Sequence, residues 1–324
     1  MRVAVIGLGS MGKRRIRLLK KYNDVKVIGI DNNAERKREL EKEYGIECYS
    51  GLNHAIDAMR IDCAFVCAPP LSHSTIIAQA LKNKLHVFTE LNLSAEGYEE
   101  NIALAKQNNL VLFLSSTFLY REEIKKIKTL TKEAGCALNY TYHVGQYLPD
   151  WHPWESYKDY FVSDKRSNGC REILAIELPW LSDVFGGIIN VNVVKDRMSS
   201  LNIDYNDNYL IILEHSSGCK GTLAVDVVSR KAVRNLEVFG EQLYLCWNGL
   251  PTGLFVYDIN AKKDINLKLY NEIDQLDNYS GFIVENAYLN EIDSFFKAVN
   301  EGMTPIYNFE KDRLILEIID RIEA

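Results

Sequence analysis

The stretch from Met1 to Asp31 constrains the fold of this chain more than any other. Arg2-Val-Ala-Val-Ile6 is a short apolar run that leads directly into Gly7-Leu-Gly9-Ser-Met-Gly12. Lys13–Lys21 then reads as a helix, and Val25–Ile30 as a second strand ending at Asp31. A strand, a G-x-G-x-x-G turn, a helix and a second strand closed by an acid follow the order of a dinucleotide-binding fold. Gly7 permits the tight turn, Gly9 leaves room for a pyrophosphate against the backbone, and Gly12 lets the helix pack closely on the strand. Ser10 and Met11 share that turn, where free N–H groups and the positive end of the helix face the phosphates. Asp31 can accept hydrogen bonds from ribose hydroxyls and repels a 2′-phosphate, so NAD is expected ahead of NADP. The alternative is an incidental glycine-rich turn in another α/β fold.

A chain of 324 residues is comfortable as two domains, each with its own core. The net charge is -6 and no basic run stands out, so nucleic acid is not an expected partner. No apolar run approaches the roughly 20 residues that span a bilayer, so no membrane association is expected. The chain opens directly on a strand, which argues against a signal peptide. The seven cysteines show no C-x-x-C pair, so they are expected to be reduced and the protein cytoplasmic. Without paired Cys or His spacing, no metal site is expected. Lys13, Arg14 and Arg15 read as a solvated helix face or as phosphate contacts.

Through about residue 115 short β-rich runs alternate with helical stretches, which predicts a doubly wound parallel sheet. Ser94 is the expected N-cap of a helix over 95–107. After about residue 136 strand-like runs follow one another through short turns, which predicts a mostly antiparallel sheet with one face packed on helices. Helices are expected at Arg171–Phe185, Ile283–Val299 and Lys311–Ile322. The fold class is therefore α/β, a Rossmann domain over 1–118 followed by an α+β domain over 119–324.

Four further segments carry a family pattern. Cys67-Ala68-Pro69-Pro70-Leu-Ser-His73 is similar to a T-P-x-x-x-H loop, and Leu85-His-Val-Phe-Thr-Glu90 to a strand ending in E-K-P. Phe118-Leu-Tyr-Arg121 is similar to a Y-x-R-F turn, and Val284–Val299 to an E-x-x-x-F C-terminal helix. With these, the chain resembles the Gfo/Idh/MocA family of nicotinamide-dependent sugar oxidoreductases along nearly its whole length. The resemblance implies a pyranose or similar polyol substrate, NAD or NADP, an open C-terminal sheet, and a homodimer or homotetramer built on that sheet. It implies that Ala68, Pro69, Pro70, His73 and Glu90 lie at the cofactor and that Arg121 lies near the substrate. His73 capping its helix and Glu90 ordering its loop are the plainer alternatives.

The chain departs from that pattern where proton transfer is expected. Leu91, followed by Asn92, stands where the family has the lysine of E-K-P. In the family's D-x-x-x-H helix the acid falls at Glu172, the histidine at Ile176 and a later acid at Pro179. Leucine and isoleucine carry no exchangeable proton. Other candidates cluster in Tyr147–Tyr157, where Trp151, Trp154 and Tyr157 can stack on sugar faces and bond hydroxyls. His152 is the first candidate for proton transfer, with Tyr157 next and Glu172 beside the substrate. Arg171 and Glu177 are candidate substrate contacts, although Glu177 stands about 140° around the helix from Glu172 and suits an internal ion pair equally well. His54, His86, His143 and His215 read as structural or exposed. The expected function is hydride transfer on a sugar or sugar-derived, possibly nucleotide-linked, substrate with non-standard acid/base residues. The alternatives are a cofactor-binding sensor or accessory protein, and a reductase resembling the biliverdin reductases.

Overall fold

The structure, a computed structural model, describes residues 1–152, 155–276 and 280–324. Trp154 lies outside the described residues. The chain divides into two units, Met1–Ser116 with Tyr288–Arg313, and Thr117–Ala287 with Leu314–Ala324.

The first unit runs β1 (Arg2–Ile6), α1 (Ser10–Leu19), β2 (Lys26–Ile30), α2 (Ala34–Tyr44), β3 (Cys48–Tyr49), α3 (Leu52–Ala58), β4 (Cys63–Val66), α4 (His73–Lys82), β5 (His86–Thr89), α5 (Tyr98–Gln107) and β6 (Leu112–Leu114). All its strands are parallel, in the order β3-β2-β1-β4-β5-β6. The order reverses between β1 and β4, and ligands of such sheets bind at the carboxyl ends flanking that switch. The Gly7–Gly12 turn and the Cys67–His73 loop both leave the sheet there. Two boundaries differ from expectation. α1 starts inside the glycine turn, at Ser10 rather than Lys13. α5 starts after a left-handed Gly97, while the Ser94 hydroxyl accepts from Glu96 N–H within a local turn.

The second unit runs α6 (Glu122–Ala134), β7 (Asn139–Gly145), α7 (Gly169–Phe185), β8 (Ile188–Asp196), β9 (Asn208–His215), β10 (Lys220–Asp226), β11 (Val233–Phe239), β12 (Tyr244–Trp247), β13 (Leu254–Asp258) and β14 (Lys263–Asn266). Its sheet order is β14-β13-β12-β11-β7-β10-β9-β8. Every pairing is antiparallel except β7 with β10. The chain closes with α8 (Glu285–Glu301) and α9 (Phe309–Glu323).

Alternation sets the faces of the second sheet. Tyr140, Tyr142, Leu223, Val225, Tyr209 and Ile211 are buried on one face, and α7 packs on β9 and β10. The other face leaves Val194, Leu210 and Ile212 more than half exposed. In the first unit Phe65, Phe88 and Phe113 stack in register on adjacent strands, with centroids 4.5 and 5.2 Å apart. Phe295 of α8 meets all three rings edge-on.

Candidate functional site

The glycine turn has the geometry of a phosphate cradle. Gly7 sits at φ +93°, a conformation L side chains rarely adopt, and a Cβ there would lie 2.6 Å from Ala68 N. A Cβ at Gly12 would lie 2.0 Å from Gly7 O, so close packing of α1 on β1 depends on that glycine. At Gly9 a Cβ would meet no atom nearer than the Arg36 guanidinium at 4.0 Å. The space in front of Gly9 is therefore open, and Gly9 opens α1 with no side-chain cap on its first N–H groups. Asp31 joins this turn: its carboxylate accepts from Leu8 N–H at 2.8 Å and Asn33 N–H at 2.7 Å. Arg36, half exposed on α2, stands 3.8 Å from the same carboxylate. The residues present fit a dinucleotide: Gly7–Gly12 for the pyrophosphate, Asp31 for the adenosine ribose.

The other proposed cofactor residues are tied to this turn by a buried polar frame. Pro69 and Pro70 open the short 3-10 turn that leads into His73. His73 is buried and joins Ala68 O and the Asn92 side chain, each at 2.7 Å. Burial lowers its pKa against the pull of those two bonds. His73 thus fastens the Ala68 loop to the segment after β5. Arg15, expected on a solvated face, is fully buried instead. It meets Glu90 at 2.6 Å and Glu291 at 2.7 Å, and lies over the Phe88 ring. Burial pulls its pKa down, but the two carboxylates outweigh that and hold it charged. Glu291 also accepts from Ser115 and from Ser116 N–H. Arg14 is buried as well, and of the three basic residues only Lys13 reaches outward, to Glu39.

In the second unit, α7 carries two kinds of carboxylate. Glu177 is fully buried and saturated, accepting from Tyr142 at 2.7 Å, Trp180 Nε1 at 2.6 Å and Arg234 at 2.5 Å. Glu172 is partly exposed and has no hydrogen-bond or ion-pair partner among the described residues. Burial alone pushes its carboxyl up to about 7. Ile176, four residues on, shares that face of the helix and is also partly exposed.

The nearby Tyr147–Tyr157 segment is only partly available for ligand. Trp151 donates its indole N–H to Gln146 O at 3.0 Å, and its ring lies close to Gly169 at the start of α7. His152 pairs with Glu155 at 2.8 Å and stacks on Tyr160, with centroids 4.4 Å apart. The Tyr157 hydroxyl accepts from Asn202 N–H at 3.3 Å. Tyr160 was not anticipated. Its hydroxyl is shut off from solvent and has no hydrogen-bond partner among the described residues, and the charges of Glu172 and Glu155 both act on it. Its signal in the sequence was the continuation of the aromatic segment three residues past Tyr157. The two candidate arginines are engaged within the protein. Arg171 pairs with Asp320 at 2.7 Å and with Glu323. Arg121 pairs with Glu123 at 2.5 Å and donates to Phe282 O and Gly249 O. Among the described residues no group of three or more His, Cys, Asp or Glu side chains could hold a metal ion, and no helix is long and apolar enough to cross a membrane.

The sheet order, the glycine cradle and the acid at the end of β2 define a Rossmann-type dinucleotide-binding protein with a second α+β unit. Residues 1–116 match the GFO_IDH_MocA model, described as an oxidoreductase family with an NAD-binding Rossmann fold. Over 98% of this chain and 93% of its own length, the myo-inositol 2-dehydrogenase of Thermotoga maritima is 25% identical. The fold is also that of GenD2 from gentamicin A biosynthesis in complex with NAD (TM-score 0.78, 19% identity, 100% of this chain and 94% of that one). Biliverdin reductase from Synechocystis sp. PCC 6803, in complex with biliverdin and NADP+, has the same fold (TM-score 0.76, 15% identity, 99% and 96%). Residues 1–116 are thus similar to the NAD-binding Rossmann domain of that oxidoreductase family, and the chain along its length is similar to an inositol dehydrogenase.

Proposed function

We propose that this chain is an NAD(P)-dependent oxidoreductase of the Gfo/Idh/MocA family, that it acts on a hydroxyl-bearing carbon of a sugar or cyclic polyol, and that Glu172 handles the proton. The observation that carries this reading is a partly buried carboxyl with no internal partner, held near neutrality by burial. When bound, the nicotinamide supplies the hydride acceptor or donor. Each hydride step on an alcohol also moves one proton, and a group that titrates near the working pH does so best. Glu172 stands at the position implied for the family acid, while Leu91 and Ile176 have no proton to give. Tyr160, its hydroxyl enclosed and under the influence of Glu172, backs that carboxyl. His152, paired with Glu155 and stacked on Tyr160, supports that ring. Asp31 favours NAD, and the neighbouring Arg36 guanidinium offers a counter-charge that softens the exclusion of NADP. The exposed apolar strip at Val194, Leu210 and Ile212 supports self-association through the second sheet.

The experiment is NADH binding by fluorescence, followed by turnover of myo-inositol, other cyclic polyols, free sugars and nucleotide-linked sugars. Inositol comes first because the full-length relative bears its name. Turnover of a polyol or sugar that is lost in Glu172→Gln, with NADH affinity intact, supports the reading. Tight NADH binding without turnover of any of these favours a sensor or accessory protein, the reading that Leu91 and Ile176 support. Turnover of biliverdin alone places the chain with the tetrapyrrole reductases.

A further inference from the structure

We propose that the first unit binds one internal water molecule as a fixed part of its structure, between α4, the segment after β5 and the start of α5. The site is a cavity of about 20 Å³. A buried water needs about 10–15 Å³ and two to four polar partners, so the cavity has room for one water and for nothing larger. His73, Asn92, Tyr98 and Asn101 line it with polar groups, and Ile77 and Phe309 with apolar ones.

The polar groups choose the ligand. Asn92 and Asn101 are 3% and 1% exposed. Asn92 Nδ2 and Asn101 Oδ1 are both shut off from solvent, and neither has a hydrogen-bond partner among the described residues. The other end of each amide is used, so neither side chain is free to turn away. Asn92 Oδ1 meets His73 Nδ1 at 2.7 Å, and Asn101 Nδ2 donates to Ser74 O at 3.1 Å. Buried polar atoms in folded proteins are nearly all paired, with protein or with ordered water. Here one of the two atoms donates and the other accepts. A water serves both: it accepts from Asn92 and donates to Asn101. An ammonium ion only donates and a halide ion only accepts, so neither matches the pair. The Tyr98 hydroxyl gives its proton to Asp312, and its oxygen keeps the capacity to accept the second water proton. Three bonds are about the usual number for a buried water. The water closes a polar chain that runs from Ala68 O through His73, Asn92 and Asn101 to Ser74 O. The loop after β4 is thereby fastened to α5 as well as to the segment after β5. The site does not depend on the redox reading.

A high-resolution crystal structure of the full chain tests it. A solvent peak is expected within hydrogen-bond distance of both Asn92 Nδ2 and Asn101 Oδ1. Oxygen-17 magnetic relaxation gives a second reading in solution, because it counts internal waters that stay longer than the protein takes to tumble. Asn101→Leu keeps the size of the side chain, removes the acceptor and is expected to count one water fewer than wild type. The count is the readout, since this variant also loses the bond to Ser74 O. A cavity without solvent density overturns the proposal, as does direct contact between the two amide atoms. Equal counts in variant and wild type overturn it too. If Asn101→Leu does not fold, the wild-type crystal structure decides alone.

Discussion

The surroundings of Arg15 and of Glu172 are two answers to the same problem, ionisable groups held away from water. Around Arg15 the first unit closes the circuit: one guanidinium, two carboxylates, two serines and aromatic faces, each group matched. Around Glu172 the second unit leaves the circuit open, with a carboxyl near 7 and a phenol hydroxyl that has no partner among the described residues. Glu177, five residues along the same helix, is closed like the first case. A matched buried charge holds a fold together, because loss of one partner strands the other. An unmatched group adds little to the fold and remains free for chemistry.

Substitutions can break this contrast in either direction. The largest effect is expected for Glu172→Gln, a fall in turnover of about 100-fold or more with NADH affinity within about twofold, read by steady-state kinetics and fluorescence titration. Arg15→Met strands two carboxylates and is expected to cost about 3–5 kcal/mol in denaturant unfolding; a cost below about 1 kcal/mol breaks the idea that this cluster is structural. The pH dependence sharpens the comparison. Glu172 is held above its unfolded value, so its contribution to stability is full below about 4.5 and is lost as pH rises through about 7. Glu172→Gln removes that loss and is expected to be more stable than wild type at pH 8, by on the order of 1 kcal/mol, but not at pH 5. Identical pH profiles of the two proteins contradict the assignment. The smallest effect is expected at the cofactor end. Asp31→Ser should shift the NADH-to-NADPH affinity ratio about tenfold toward NADPH, and an unchanged ratio removes Asp31 from cofactor selection.

What the sequence made legible was local. Gly7, Gly9, Gly12 and Asp31 are close in the chain, and their spacing states their geometry before any folding. Strand and helix alternation predicts both sheets because each element carries its own period. The charged side chains were misleading because their partners are distant. Nothing near Arg15 announces Glu90 or Glu291, so a basic run reads as solvated. Arg171 looks like a free reagent, and Glu177 like a reagent or an ion-pair acid equally, until α9, Tyr142 and Arg234 come into place. The reverse holds at Tyr160, whose lack of a partner is invisible until everything around it is packed. β14, Lys-Asp-Ile-Asn, was missed because an exposed polar edge strand has no hydrophobic alternation to show.

The position of β7 has a consequence for how the second unit is made. This strand lies between β10 and β11, and both emerge much later from the ribosome than β7 itself. Until they arrive, Tyr140 and Tyr142 have no sheet to be buried in, and β7 waits with both edges open. Its pairing with β10 is parallel and closes over the stretch of chain that holds α7, β8 and β9, a contact that forms slowly. The nascent chain therefore passes through a stage in which a strand carrying two tyrosines and a valine is exposed to chaperones and to other copies of itself.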